Sequence, residues 1–191
     1  VEKSDEDLMF AFQKEGQLRE LEILWDRYAN RLLSFFYRQL RDYQNAESLT
    51  QEIFYKIYRN SSQYKYPKKF STWLFSIARN LYTDEIRKRK FVLPDEFEKM
   101  VEEKKGSALS PLESLIYQEE VDRLHQAIST LTPLLQETLE FRIYQKLSYA
   151  EIAEIIGGKE STIRSRMKYA LEKLEEALKE PRPPRPPPSL P

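Results

Sequence analysis

The sequence contains no cysteine and a single histidine among its 191 residues. Without thiols there is no disulfide scaffold, no thiolate metal site and no cysteine nucleophile, a pattern that fits a reducing compartment. His125 stands on a polar helical stretch without ligand-type neighbours, so neither a metal centre nor imidazole catalysis finds support. The carboxylate pairs Glu102-Glu103 and Glu119-Glu120 lie in charge-rich, solvated runs, the wrong setting for an acid/base dyad. No glycine-rich phosphate loop follows a strand-like run, and no cofactor is expected. Glycine is scarce, at 4 residues, which favours helix over sheet in a chain rich in Lys, Glu, Leu and Ile. No apolar run approaches the roughly 20 residues that span a bilayer, and Val1-Glu2-Lys3-Ser4-Asp5 does not read as a signal peptide. These absences point to a cytoplasmic protein that binds rather than catalyses.

Net charge is also missing, since 31 bases balance 31 acids. The distribution is uneven. From Lys65 to Phe91 eight bases face two acids, a local +6, whereas Val92 to Asp122 carries nine acids and three bases, a local −6. With a screening length of about 8 Å at physiological salt, a partner feels these patches and not their sum. Neutrality therefore does not exclude DNA.

What is present is helical periodicity. Hydrophobic residues make up 40% of the chain and aromatics 13%, enough to build cores. Ser4 with Asp7 marks a helix start, and Gly16 interrupts it. Leu18, Leu21, Leu24, Trp25, Tyr28, Leu32, Leu33 and Phe36 predict a long amphipathic helix ending near Asp42. Asn45 is expected to cap a third helix, striped by Ala46, Leu49, Ile53 and Ile57. Asn60 to Lys69 reads as a loop around Pro67, and Phe70 to Lys90 as a fourth helix whose Trp73 and Ile77 belong to the core. Residues 1–91 thus form a first domain, residues 92–111 an acidic linker, and residues 112–180 a second domain. The proline-rich tail, residues 181–191, is expected to be extended. The fold class is all-α, with two small helical domains.

Within the second domain, Thr132-Pro133 opens one helix with a capping hydroxyl and Ser148 with Glu151 opens a short one. Gly157-Gly158 turns the chain, and a longer basic helix runs from about Glu160 to Lys179. This is the helix-turn-helix plan, in which the second helix enters a major groove. Ile163, Met167, Ala170, Leu171, Leu174 and Leu178 are expected to pack inward. Ser161, Arg164, Ser165 and Lys168 fall on the opposite face, where Arg164 suits a guanine edge and Ser161, Arg166 or Lys168 suit phosphates. By spacing alone, an ordinary helical hairpin with a solvated basic face fits equally well.

The run Gly157-Gly158-Lys159-Glu160-Ser161-Thr162-Ile163-Arg164-Ser165-Arg166, after Leu147 to Ile156, resembles the promoter-binding C-terminal domain of extracytoplasmic-function (ECF) sigma factors, the smallest branch of the sigma-70 family. Asn45-Ala46-Glu47-Ser48-Leu49-Thr50-Gln51-Glu52-Ile53-Phe54 resembles that family's polymerase-docking helix, with Ser48 where an acid is usual. Phe70-Ser71-Thr72-Trp73-Leu74-Phe75-Ser76-Ile77-Ala78-Arg79-Asn80, with Asp84 and Arg87 beyond it, resembles the promoter-melting helix. The resemblance spans about Asp5 to Lys179.

The resemblance implies a transcription initiation factor that binds core RNA polymerase and promoter DNA and is held in check by an anti-sigma factor. Glu47, Gln51, Glu52 and Tyr55 would form the polymerase surface. Tyr64, Lys68, Lys69, Phe70, Ser71, Ser76, Asn80 and Arg87 would hold the minus-ten element as a single strand, with Tyr64, Phe70 and Asn80 trapping bases and the cations on phosphates. Ser161, Thr162, Arg164, Ser165, Arg166 and Lys168 would read the minus-35 element as duplex. The acidic linker would either lie in the polymerase's RNA path or act as a solvated spacer. A stand-alone helix-turn-helix regulator is the alternative, and it leaves the Phe70–Arg87 signature without a purpose. An adaptor acting through the proline-rich tail leaves both DNA-type motifs unexplained.

Overall fold

The computed structural model describes residues 3–92 and 121–179, and every described regular element is helical. Residues 93–120, which hold nearly all of the linker and the start of the second domain, and the proline-rich tail lie outside the described residues. Helix α1 (Asp5–Glu15) starts where the Ser4 hydroxyl accepts from the Asp7 N–H at 3.1 Å, and it stops at Gly16, whose φ of 67° suits a residue without Cβ. Helix α2 (Leu18–Leu40) ends at Arg41, also left-handed at φ 54°.

Helix α3 (Tyr43–Arg59) begins two residues before the expected cap. Asp42 is the cap, its carboxylate accepting from the Asn45 N–H at 3.0 Å. Asn45 lies inside the first turn and donates its side-chain amide to Glu85 of the next long helix at 2.7 Å. Helix α4 (Phe70–Val92) follows a loop, and the Glu6 carboxylate accepts from its first N–H at 3.1 Å.

In the second half, residues 121–129 form α5, followed by α6 (Pro133–Leu139), α7 (Tyr149–Ile156) and α8 (Glu160–Lys179). Helix α6 starts at the expected proline, but the Thr132 hydroxyl makes no capping bond. The Thr132 carbonyl instead takes the Leu135 and Gln136 N–H groups, at 2.9 and 3.0 Å. From Glu140 to Tyr144 the chain widens into a π turn, in which the Gln145 N–H reaches the Glu140 carbonyl five residues back at 3.2 Å.

Two cores result. The smaller joins Ala127, Leu131, Leu135, Leu139, Met167, Ala170 and Leu174. The larger gathers Leu24, Leu32 and Phe36 with Ile53, Ile57, Leu74 and Phe75, and it continues into the second half through Phe141, Leu147, Ile152 and Ile163. Phe141 is fully buried between Phe35, stacked at 5.7 Å, and Phe75, edge-on at 6.1 Å. Burying such a ring stabilises by about 1.5–3 kcal/mol, so the halves are joined by packing as well as by chain.

The inward face of α8 is narrower than expected. Leu171 and Leu178 are 49% and 37% exposed, because Ile163, Met167, Ala170 and Leu174 already complete the buried stripe.

Candidate nucleic-acid interface

Helix α7 carries a full capping box: the Ser148 hydroxyl accepts from the Glu151 N–H at 3.2 Å, and the Glu151 carboxylate accepts from the Ser148 N–H at 2.7 Å. Gly157 and Gly158, at φ 81° and 116°, then reverse the chain into α8. Ser161, Thr162, Arg164, Ser165 and Lys168 are all exposed at the start of α8. Arg164 is already oriented. Its Nη2 meets the Glu160 carboxylate at 2.7 Å, and its guanidinium lies 5.3 Å over the Tyr149 ring. The Ser165 hydroxyl donates back to the Ser161 carbonyl at 3.0 Å, and Lys168 sits 3.7 Å from Glu172. Arg166 departs from this face: it is half-buried, and its Nη1 is shielded without a hydrogen-bond partner among the described residues.

The second candidate surface surrounds the start of α4. Lys68, Lys69, Asn80 and Arg87 are exposed, and Ser71 and Ser76 are half-buried. Arg87 is 3.7 Å from Asp84 on the same helix, and the Ser76 hydroxyl donates to the Thr72 carbonyl at 2.8 Å.

The two aromatics expected to trap bases are not on this surface. Tyr64 is 3% exposed and Phe70 0%. Their rings pack edge-on at 6.1 Å, and Phe70 meets Tyr28 at 5.4 Å. The Tyr64 hydroxyl donates to the Lys68 carbonyl, and Gln13 donates to the Tyr64 carbonyl at 2.9 Å. Both residues therefore brace the loop from beneath. Burial, with Glu6 nearby, pushes the Tyr64 hydroxyl pKa well above its ordinary value. The loop aromatic that does face solvent is Tyr66, 4.7 Å from the Phe10 ring and set between Lys65 and Pro67 in the sequence. Trp73 and Ile77 pack against the core as expected, partly buried.

A third surface lies on α3. Glu47, Gln51, Glu52 and Tyr55 are exposed together, Tyr55 at 63%, and Glu52 pairs with Lys56 at 3.3 Å. An exposed tyrosine at the centre of a polar helix face is a common anchor for a protein partner. Among the described residues no group of three or more histidine, aspartate or glutamate side chains gathers as a metal site would require. No described helix is long and apolar enough to cross a membrane.

Residues 24–92 match the model of sigma-70 region 2, and residues 122–174 match that of sigma-70 region 4. The chain is 29% identical to an RNA polymerase sigma-H factor of Pseudomonas aeruginosa, over 93% of this chain and 95% of that one. It is 28% identical to the ECF RNA polymerase sigma factor SigW of Bacillus subtilis, over 87% and 93%. The solved structure of CnrH in complex with the cytosolic domain of CnrY superposes with a TM-score of 0.69 at 18% identity, covering 92% of this chain and 97% of that one, which is a likeness of fold. With both sigma-70 regions present in order and sigma-factor relatives aligned over most of its length, the chain belongs to the sigma-70 family, as an extracytoplasmic-function sigma factor.

Proposed function

We propose that this protein directs core RNA polymerase to promoters by holding two DNA elements on two surfaces, one duplex and one melted. The observation that carries the reading is the paired geometry: a solvent-facing basic helix start on α8 and a basic, hydroxyl-bearing margin on α4. Arg164 reads a base edge in the minus-35 major groove, while Ser161, Thr162, Ser165 and Lys168 fix the register on phosphates. Arg166 swings out from its half-buried position to join them.

At the minus-ten element, opening the duplex costs about 1.4 kcal/mol per stacked step, so bases must be caught once they leave the stack. Lys68, Lys69 and Arg87 hold the phosphates, and Ser71, Ser76 and Asn80 offer hydrogen bonds. Tyr66 supplies the aromatic platform, with Tyr64 and Phe70 supporting the loop that presents it. One stacked base stabilises by about 1–3 kcal/mol, comparable with the step it replaces. Glu47, Gln51, Glu52 and Tyr55 form the polymerase-docking face. This activity needs no cofactor and no catalytic residue, and it places the protein in the cytoplasm beside polymerase. An anti-sigma factor is the expected regulator, as the sigma factor RpoE of Bartonella quintana is solved in complex with the anti-sigma factor NepR.

Reconstitution with core polymerase tests the reading. Stable association and start-site-specific transcripts support it. Binding to duplex DNA with no association with core polymerase overturns it in favour of a stand-alone regulator.

A further inference from the structure

Helix α1 lies outside the stretch matched to sigma-70 region 2, yet one of its faces is given over to the loop that carries Tyr66. Glu6, Phe10 and Gln13 recur at spacings of four and three and so share a stripe. Glu6 receives the first N–H of α4 at 3.1 Å. Gln13 donates its side-chain amide to the carbonyls of Ser61 and Tyr64, the latter at 2.9 Å. Between these two anchors the Phe10 ring meets the Tyr66 ring, with centroids 4.7 Å apart and planes 32° from parallel. Leu8, Met9 and Phe12 on the inner side of α1 are buried, so the stripe stands on a fixed base.

Asp7 and Lys14 border the stripe on its exposed side. Asp7 Oδ1 accepts from the Tyr66 hydroxyl at 3.3 Å, and Oδ2 accepts from the Ser4 hydroxyl at 2.7 Å. Lys14 holds its ammonium 4.6 Å from the centre of the Phe10 ring. About 10 Å of helix separates the two, which puts the acid at the hydroxyl end of Tyr66 and the cation beside the ring that backs it. Tyr66 is thus held by ring and by hydroxyl, while 47% of its surface stays open. An unrestrained tyrosine would lose its side-chain freedom on taking a base, whereas this one is ordered beforehand.

We propose that α1 completes the single-strand site: Phe10 is the positioning residue that presents the Tyr66 ring to an unpaired base, and Lys14 takes a phosphate of the same strand. This rests on the assignment of Tyr66 as the aromatic platform. The Asp7 carboxylate repels phosphates at the hydroxyl end, so the strand's backbone passes on the Lys14 side.

Holoenzyme and a single-stranded oligonucleotide, cut from the non-template strand of a promoter it transcribes, test the proposal. 2-Aminopurine, whose emission falls when it stacks on an aromatic ring, replaces each base in turn. One position should be quenched in the wild type and bright in Tyr66→Ala, which should bind about tenfold more weakly. Phe10→Leu keeps apolar bulk without the flat ring. It should brighten the same position and weaken binding about fivefold, and Phe10→Tyr should restore both. Combined with Tyr66→Ala, Phe10→Leu should add no further loss. Lys14→Gln should keep the quenching and lower the salt slope by about 0.7.

Quenching that survives in folded Phe10→Leu but not in Tyr66→Ala overturns the positioning role and leaves the platform standing. Losses that add in the double variant overturn it too, because Phe10 then acts apart from Tyr66. An unchanged salt slope removes Lys14 from the strand. Should Phe10→Leu fail to fold, Phe10→Met is read by the same criteria. No quenched position in the wild type, or one that persists in Tyr66→Ala, overturns the platform assignment and the role of α1 with it.

Discussion

The Tyr28 hydroxyl donates to the Asp5 carboxylate at 2.5 Å, and the same carboxylate receives Arg27 Nη1 at 2.5 Å, tying α1 to α2. Burial first, and this bond second, push the Tyr28 pKa well above its ordinary value; burial does the same for Tyr64. The folded protein therefore keeps phenolic protons that the unfolded chain releases above about pH 10. Their contribution is complete below that pH and is lost as pH rises towards the folded values. Denaturant midpoints measured from neutral pH upward should fall beyond pH about 10, and the fall should be shallower in Tyr28→Phe. An equally steep fall in that variant would show that Tyr28 is not a source of the linkage.

Phe70 is expected to matter for stability before binding. Phe70→Ala should lower the unfolding free energy by about 3–5 kcal/mol, and Phe70→Leu by less than about 1.5 kcal/mol. Under conditions where Phe70→Leu is folded, its holoenzyme should bind the minus-ten strand as the wild type does, whereas Tyr66→Ala should weaken it. A binding defect in folded Phe70→Leu would return the ring to the DNA surface.

The contrast between these two aromatics indicates what a sequence can carry. The all-α fold and the bounds of α8 arise from local chemistry, since Glu160 to Lys179 is set by a glycine turn at its start and an apolar stripe along it. The burial of Phe70 is legible in spacing too: it sits four residues before Leu74 and eight before Ala78, on the buried side of α4. That of Tyr64 is not, because it depends on Gln13 and Phe70 arriving from elsewhere in the chain. Asp42 and Asn45 are both competent caps, and only the folded α4, offering Glu85 to Asn45, separates their roles. The π turn has no local signature at all. It is stabilised by what Glu140 and Phe141 meet in the first half.

The helix-turn-helix should depend on its reciprocal cap. Ser148→Ala removes the acceptor for the Glu151 N–H and should cost about 1 kcal/mol, with a range of about 0.5–2. Thermal unfolding of the full chain reads this, and duplex binding should fall no further than the folded fraction does. A larger loss of binding would give Ser148 a direct contact.

At the minus-35 element, Arg164 and Lys168 should behave differently. Arg164→Ala should lose about 1–3 kcal/mol of discrimination at one base pair. Lys168→Ala should weaken all duplexes alike and reduce the salt slope by about one. Titrations of holoenzyme with substituted duplexes at several salt concentrations separate the two, and identical profiles would remove Arg164 from base reading.

The wide turn at Glu140–Tyr144 accommodates one residue more per hydrogen-bonded ring than the α-helix leading into it. Removing a single residue there would let the ordinary helix continue and rotate the chain beyond it by about 100°. Glu140 and Phe141 would part company with Gln145, while α7, its turn and α8 would keep their own geometry. In this fold, then, the loss of one codon would leave both helical modules whole yet turn them out of register with each other.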